Sequence, residues 1–570
     1  MSKRVFAILL AVGIALSISS CDYLVEKKTE TVTDEEMNMV YFDKSNPPAK
    51  KLTVFDVRDN YGSGYADFYY EKGLLKVLQG LVNRDQPKLF LIFTESDERW
   101  FQNMIDLGYI EGKEEQLSTI PELLEKYKEY YDGGVMIDDG LSMGALIAIP
   151  VASCENLLPV DSILQRELQL DIKVDLTGKF QTNAEGFNWA WDTYKSQLNQ
   201  KLFIVMHPNL YAGYDGSIDY IVEKKGFPFW INEATATKIN GVDPAAEMDT
   251  IERIFKESPP LGHVLGFWWH GPDNNFLGIG EMPGVQFTNT AGKIMLVCGF
   301  QNISVHSGIV RKSFAQKFVP APQKLEDKLY VTMLSTDGDA LNTWYNNFPE
   351  WFDSKNFGSV PMGWGMGVTM IDVAPAIAEY YYNKNDENNE FFVDVSGLSY
   401  INPRHLGIGL PKTEADMLWK EFFDYTNVYA KRMDMKALRI LTREFQDREM
   451  TEKYAKNLKG IESLFPDWGN TFKPKTTLFQ ANYQVDGVNV FHALNDWENG
   501  AQGLIDQIKD INEQRINNGG GPQFAYIFVN LWYYNNMGDM KKVKESVGDD
   551  IIFTTPTGLS NAYKKFLEQQ

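Results

Sequence analysis

The segment KLYVTMLSTDGDALN, residues 328–342, opens as a short apolar run rich in β-formers and stops at two carboxylates, Asp337 and Asp339, flanking Gly338. A run of that length without polar alternation reads as a strand buried on both faces, as in a parallel sheet covered by helices. Its ending admits three readings. Asp and Gly favour turns, because Asp bonds nearby backbone and Gly tolerates positive φ. Oxygen ligands at alternate positions suit calcium, although no EF-hand pattern continues after them. Paired carboxylates at a strand end are also what acid-catalysed hydrolysis of a glycosidic bond needs.

Downstream the same rhythm recurs. VPMGWGMG, FFVDVSGLSY, ALRILTR, TTLFQANY, VNVFHAL, FAYIFVNLW and DIIFTT read as further strands. Helical patterns fill most gaps, around 372–383, 413–433, 449–463, 500–516 and 557–568. Only QVDG separates TTLFQANY from VNVFHAL, too short for a crossover between parallel strands. Residues 325–570 are therefore expected to form a (β/α) barrel-like domain of seven or eight strands, since such barrels run to about 250 residues.

Upstream, KLTVFDV, KLFLIF, GGVMIDD, KLFIVMH, GHVLGFWWH and KIMLVCGF alternate with helix patterns such as SMGALIAIPVAS. They predict an N-terminal α/β domain over 51–320 with a mainly parallel sheet. The proline-bearing FVPAPQKLEDK, 318–328, marks the boundary. Two domains suit a chain of 570 residues, which is too long for one core.

The first twenty residues read as a targeting segment: Lys3 and Arg4 precede the short apolar VFAILLAVGIALSI. SISSC resembles a bacterial lipobox, with Ile18 where Leu is commoner. It predicts lipidation at Cys21, a charged tether over 21–50, and an extracytoplasmic protein held to a membrane through that lipid alone. A net charge of −22 speaks against nucleic acid, whose phosphates need a basic face. The remaining cysteines, Cys154 and Cys298, lie in apolar runs and read as buried thiols. No metal or other cofactor is expected: there is no CxxC or HExxH, and the six histidines are scattered. Nothing in the sequence sets an oligomeric state.

In a parallel barrel, polar residues that end each strand converge over the mouth. Here they are Asp337 and Asp339, then Trp364, then Asp394, Ser396 and Tyr400, then Arg443 and Glu444. Asn482, His492, Asn495, Asp496, Glu498, Asn530 and Trp532 complete the rim. Glycoside hydrolysis places a proton donor and a base or nucleophile on either side of the scissile bond. Asp337 and Asp339, with Glu444 and Asp496 as partners, are the candidate catalytic acids. Trp364, Tyr400 and Trp532 are candidates to stack on or orient a sugar. Trp268 and His270, in GFWWHGPDNN, are candidates to wall the same cleft from the first domain.

GLSYINP, residues 397–403, resembles the signature of the GxGYxYP family of putative glycoside hydrolases. TDGDA at 336–340 and LQGLVNR at 78–84 are similar to two further segments of that family, and the resemblance spans roughly residues 50–565. Ser399 and Asn402 depart from the name motif, and Ala340 stands where Asn is usual. The resemblance implies a two-domain lipoprotein acting on carbohydrate. A non-catalytic glycan-binding lipoprotein fits the aromatic rim equally. A metal-dependent polysaccharide deacetylase is a weaker fit, because no pair of histidines has HxxxH spacing.

Overall fold

A computed structural model describes residues 32–62, 64, 67–213, 216–236, 238–268, 278–335, 337–442, 447–466, 482–495 and 500–570. Met39–Gln570 form one compact unit. The N-terminal third to half of that unit holds three small parallel sheets where the sequence predicts one. The first combines β1 (Lys51–Asp56), β2 (Leu89–Ile92) and β3 (Gly112–Leu117) in the order β2-β1-β3. The second runs β5-β4-β6, from β4 (Gly133–Met136), β5 (Leu157–Val160) and β6 (Ile172–Asp175). The third runs β10-β9-β7-β8, from β7 (Leu202–Val205), β8 (Phe227–Phe229), β9 (His263–Gly266) and β10 (Ile294–Leu296).

The helix Gly144–Glu155 explains why these sheets stay separate. Its sequence, GALIAIPVASCE, has no polar face, and Gly144 through Ser153 are buried. A helix apolar all round must be covered on every side. It therefore packs against β4, β5 and β8 together and fills the space a continuous sheet would need.

The helix Tyr69–Val82, which carries the start of LQGLVNR, makes a second seam. A Cβ on Gly73 would lie 1.9 Å from the Tyr211 ring, and one on Gly80 would lie 2.5 Å from the Asp219 carbonyl oxygen. Gln79 donates to the Leu89 carbonyl (3.0 Å) and to Asn302 (2.7 Å), while Asn83 donates to Ser304 (2.9 Å). That motif is buried stitching between sheets.

The C-terminal half is built on a curled sheet. It consists of β11 (Leu329–Ser335), β12 (Met362–Met366), β13 (Asn389–Val393), β14 (Ala437–Ile440), β15 (Ser463–Pro466), β16 (Tyr483–Val485), β17 (Val488–Val490), β18 (Gln523–Val529) and β19 (Ile551–Thr554). Their order is β16-β17-β15-β14-β13-β12-β11-β18, with β19 also on β11. All pairs are parallel except the hairpin β16–β17, which turns on Asp486 and Gly487, both at positive φ (48° and 81°), as a two-residue turn requires. The far flank returns to β18 through a parallel bridge, Ala493 to Tyr526. The Asn495 amide takes over beyond it, donating to the Phe528 carbonyl (2.7 Å) and accepting from the Phe528 N–H (2.8 Å). β15 was not expected: the helix predicted over 449–463 ends at Asn457, and the expected strand TTLFQANY lies mostly outside the described residues.

Strand alternation decides what fills the curl. Tyr330, Leu334, Phe392, Ala437, Phe524 and Phe528 belong to one inner cluster, separate from the main core. Their neighbours Val331, Met333, Trp364, Phe391 and Ile527 pack outward with the helices. Gly363 and Gly365 share the inner face of β12, where a Cβ at 365 would strike the Asp394 carboxylate at 2.2 Å.

The tether expected over 21–50 is shorter than its charge pattern implied. Phe42 is fully buried, the Tyr41 N–H donates to the Tyr429 hydroxyl (3.0 Å), and the Ser45 hydroxyl donates to Glu223 (2.6 Å). Cys154 and Cys298 are free thiols. Among the described residues no helix is long and apolar enough to cross a membrane.

Candidate active site

The carboxyl ends of β11 and β13 carry the acids, and β14 supplies the arginine that meets one of them. After β11 the chain turns at Asp337, whose φ is +58°, so the Asp and not the Gly occupies the left-handed region. Gly338 is needed for space instead. A Cβ there would sit 1.4 Å from the Gly365 carbonyl oxygen. Its own carbonyl is clamped by the Gly367 N–H (3.0 Å) and the Trp344 indole N–H (3.0 Å). The turn is thus pressed onto the end of β12, which fixes where Asp339 points.

Asp339 is 8% exposed, and its Oδ1 has no hydrogen-bond partner among the described residues. Burial above all, then the charges of Asp394 and Asp337, hold its carboxyl well above the usual carboxylate range. Asp337 beside it is partly exposed.

Asp394 follows β13 on the inner face. Its two oxygens accept from Arg439 Nε (2.8 Å) and Nη2 (2.7 Å), a bidentate pair with both side chains fully buried. Burial raises the Asp394 carboxyl to about 6 against the pull of that guanidinium, which leaves it ionised at neutral pH. Arg439 also reaches the Ser335 carbonyl (3.4 Å) and lies over the rings of Phe392 and Phe528. Two neighbouring acids whose proton affinities are pushed apart, Asp339 above Asp394, form a recurrent arrangement of acid–base sites.

Family models match three segments: the "GxGYxYP_N 1st domain" over 67–129, the "GxGYxYP third domain" over 197–308, and the "GxGYxYP putative glycoside hydrolase C-terminal domain" over 327–564. The chain belongs to the GxGYxYP family. Its fold is similar to that of a putative hydrolase from Bacteroides thetaiotaomicron VPI-5482, with a TM-score of 0.72 at 18% identity, over 92% of this chain and 96% of that one. No curated protein matches.

In this GxGYxYP protein the name motif is a strap. Gly397 has φ +124°, and a Cβ on it would lie 3.0 Å from the Phe422 ring. Tyr400 forms an antiparallel bridge with Met295 of β10, and its hydroxyl donates to Glu281 (2.6 Å). Ser399 donates to the Met295 carbonyl. Tyr400 is 2% exposed and ties the loop after β13 to the third small sheet; it does not stand open at the mouth.

Two tryptophans also sit elsewhere than expected. Trp364 is fully buried on the outer face of β12, its indole donating to Asn389 (2.9 Å) among Phe348, Trp351 and Phe352. The alternation in GWG puts the glycines inside and therefore the Trp outside. Trp268 is buried against Phe229, Trp230 and Phe287. Trp532, in contrast, is 58% exposed on the turn Leu531–Tyr533 directly after β18. Glu444, Asp496, His270 and Cys21 lie outside the described residues. The partners that sequence reasoning missed are Asp394, read as a rim residue only, and Arg439, read as one position of an apolar strand.

Proposed function

We propose that this chain is a glycoside hydrolase whose proton donor is Asp339. The observation that carries the reading is the Asp339 carboxyl itself: buried at the end of a central strand, lacking a partner on one oxygen, and flanked by two further acids. A carboxyl kept neutral in that way can protonate the departing glycosidic oxygen. Asp394, locked on Arg439, acts as a positioning residue: its fixed negative charge keeps the Asp339 proton in place.

The second carboxylate comes from Asp337, on the same turn and partly exposed, or from Glu444 or Asp496, which follow β14 and Asn495 in the sequence. Single Asn or Gln variants rank the three. Exposed Trp532 offers a flat face to a sugar ring at the same rim. It serves hydrolysis and simple glycan binding alike, so turnover separates those readings. Wild type is expected to cleave a member of a neutral-glycan panel, and Asp339→Asn to bind the same glycan without cleaving it. Binding without cleavage by wild type supports the non-catalytic reading. The same proposal places the protein outside the cytoplasm, anchored by lipid on Cys21.

A further inference from the structure

A pocket in the N-terminal half is walled by none of the acids just described. It has a volume of about 240 Å³ and opens where β4 and β7 end, the position at which parallel α/β sheets bind ligands. Its polar wall comes from Tyr69, Tyr70, Asp138, Asp139, Ser142 and Asn209.

Some of these groups are already committed. Asp138 accepts from the Gly140 N–H (3.0 Å) and the Gly178 N–H (3.0 Å), and so shapes the turn. The Tyr69 hydroxyl donates to the Pro208 carbonyl (2.9 Å). The others remain available. Ser142 accepts from the Asn183 amide (2.9 Å), which leaves its own proton to donate. Asp139 and Asn209 are exposed, and Tyr70 stands edge-on to Tyr69 with a centroid distance of 5.2 Å. A carboxylate acceptor, an amide, a hydroxyl donor and a phenol therefore surround one small volume.

The charge balance selects among ligands. The helices Tyr69–Val82 and Gly144–Glu155 both begin in the wall, and neither first turn is capped by its N-cap side chain. Their positive ends disfavour a cation, while Asp138 and Asp139 disfavour an anion. A neutral molecule that both donates and accepts hydrogen bonds, with an apolar face for the tyrosines, fits both constraints. The volume is below that of a pocket for a drug-sized ligand, which corresponds to one ring and not a chain.

The pocket and the proposed active site also share a face. β7 is two strands from β10, roughly 10 Å. The chain beyond β10 holds the acidic turn, with the Leu341 N–H donating to the Val297 carbonyl (2.8 Å) and the Gly299 N–H to Asn342 (2.6 Å). We infer that the pocket is a second carbohydrate site that takes one neutral sugar ring of the glycan cleaved at the curled sheet. The ligand class follows from the pocket's own groups, whereas its membership of the substrate rests on the hydrolase reading.

The test is calorimetric titration of neutral oligosaccharides, from two to six hexose units, into full-length Asp339→Asn protein, with and without Asp139→Ala/Asn209→Ala. Both added changes are at exposed positions, and a matching thermal midpoint confirms folding. At least tenfold weaker binding of the longer oligosaccharides is expected in the triple variant. Tyr70→Phe in the same background removes a single hydroxyl and is expected to weaken binding severalfold, even if the triple variant misfolds. Unchanged affinity in the variants, or no sugar binding by Asp339→Asn protein, overturns the proposal, and cleavage by wild type then leaves the hydrolase reading intact. Weakened binding in the variants, with wild type cleaving nothing, keeps the sugar site and removes the hydrolase reading.

Discussion

Asp339 owes its chemistry to neighbours that are distant in sequence. Its carboxyl is buried beside Asp394, and Asp394 is ionised because Arg439 grips both its oxygens. The activity is therefore expected to fall on the alkaline side as Asp339 gives up its proton. Replacing Asp394 by Asn removes the negative charge that holds that proton and turns more of the Arg439 charge onto Asp339. Both effects lower the Asp339 pKa. The alkaline limb of the kcat/KM profile should move toward acid pH, by on the order of one unit. A purely structural role for Asp394 would lower activity at every pH and leave the limb in place. The acidic turn was legible in the sequence because Asp-Gly-Asp interrupts an apolar run. Arg439 was legible in principle as well, since a cation in the middle of a buried strand needs a carboxylate partner. The strand propensity of ALRILTR masks it, because one cation does not break an apolar run. For Trp364, position near a strand end suggests the mouth, whereas the parity of its flanking glycines puts it on the outer face.

At the scale of elements, two contacts fix the curled sheet. Gly338 touches the end of β12 so closely that no side chain fits, so Gly338→Ala is expected to cost on the order of 4 kcal/mol or more in denaturant unfolding. Gly64→Ala is the control, since Gly64 is outside the left-handed region and its Cβ would meet only the Asp67 carboxylate at 3.8 Å. At the opposite end, Glu390 on β13 receives the Thr557 N–H (2.9 Å) and hydroxyl (2.6 Å) at the start of the helix Pro556–Leu567. Burial raises this carboxyl to about 7. The folded protein thus holds the proton more tightly than the unfolded chain does. The stability carried by Glu390 is complete below the ordinary Glu value and is lost as pH rises through about 7. The loss is on the order of 3 kcal/mol at 1.36 kcal/mol per unit. Glu390→Gln should remove that fraction of the pH dependence, read as the difference between urea midpoints at pH 5 and pH 8. Most strands were visible as apolar runs bounded by polar ends. β15 was not, because SLFP is short and follows a helix whose amphipathic pattern runs into it.

Over the whole molecule, the fold is an assembly of parallel sheets whose seams are polar and buried. LQGLVNR and GLSYINP both lie on such seams, which explains why neither motif places its side chains in an open cleft. The number of sheets in the N-terminal half was not legible, since alternating strands and helices look the same whether the strands join one sheet or three. The anchor proposed at Cys21 predicts a change of location without a change of fold. Cys21→Ser, placed behind a cleavable non-lipoprotein leader, should move the protein from the membrane fraction to the soluble extracytoplasmic fraction with turnover per molecule unchanged. Retention in the membrane fraction would remove lipid from the account.

The assignment of Asp339 as proton donor is tested most directly by varying how much the leaving group needs a proton. Wild type and Asp339→Asn are compared on an alkyl glycoside and on the dinitrophenyl glycoside of the same sugar. Asp339→Asn is expected to lose roughly 10²–10⁴-fold in kcat/KM on the alkyl glycoside and far less on the dinitrophenyl one, whose leaving group departs unprotonated. Equal losses on both substrates, or no loss on either, would contradict it.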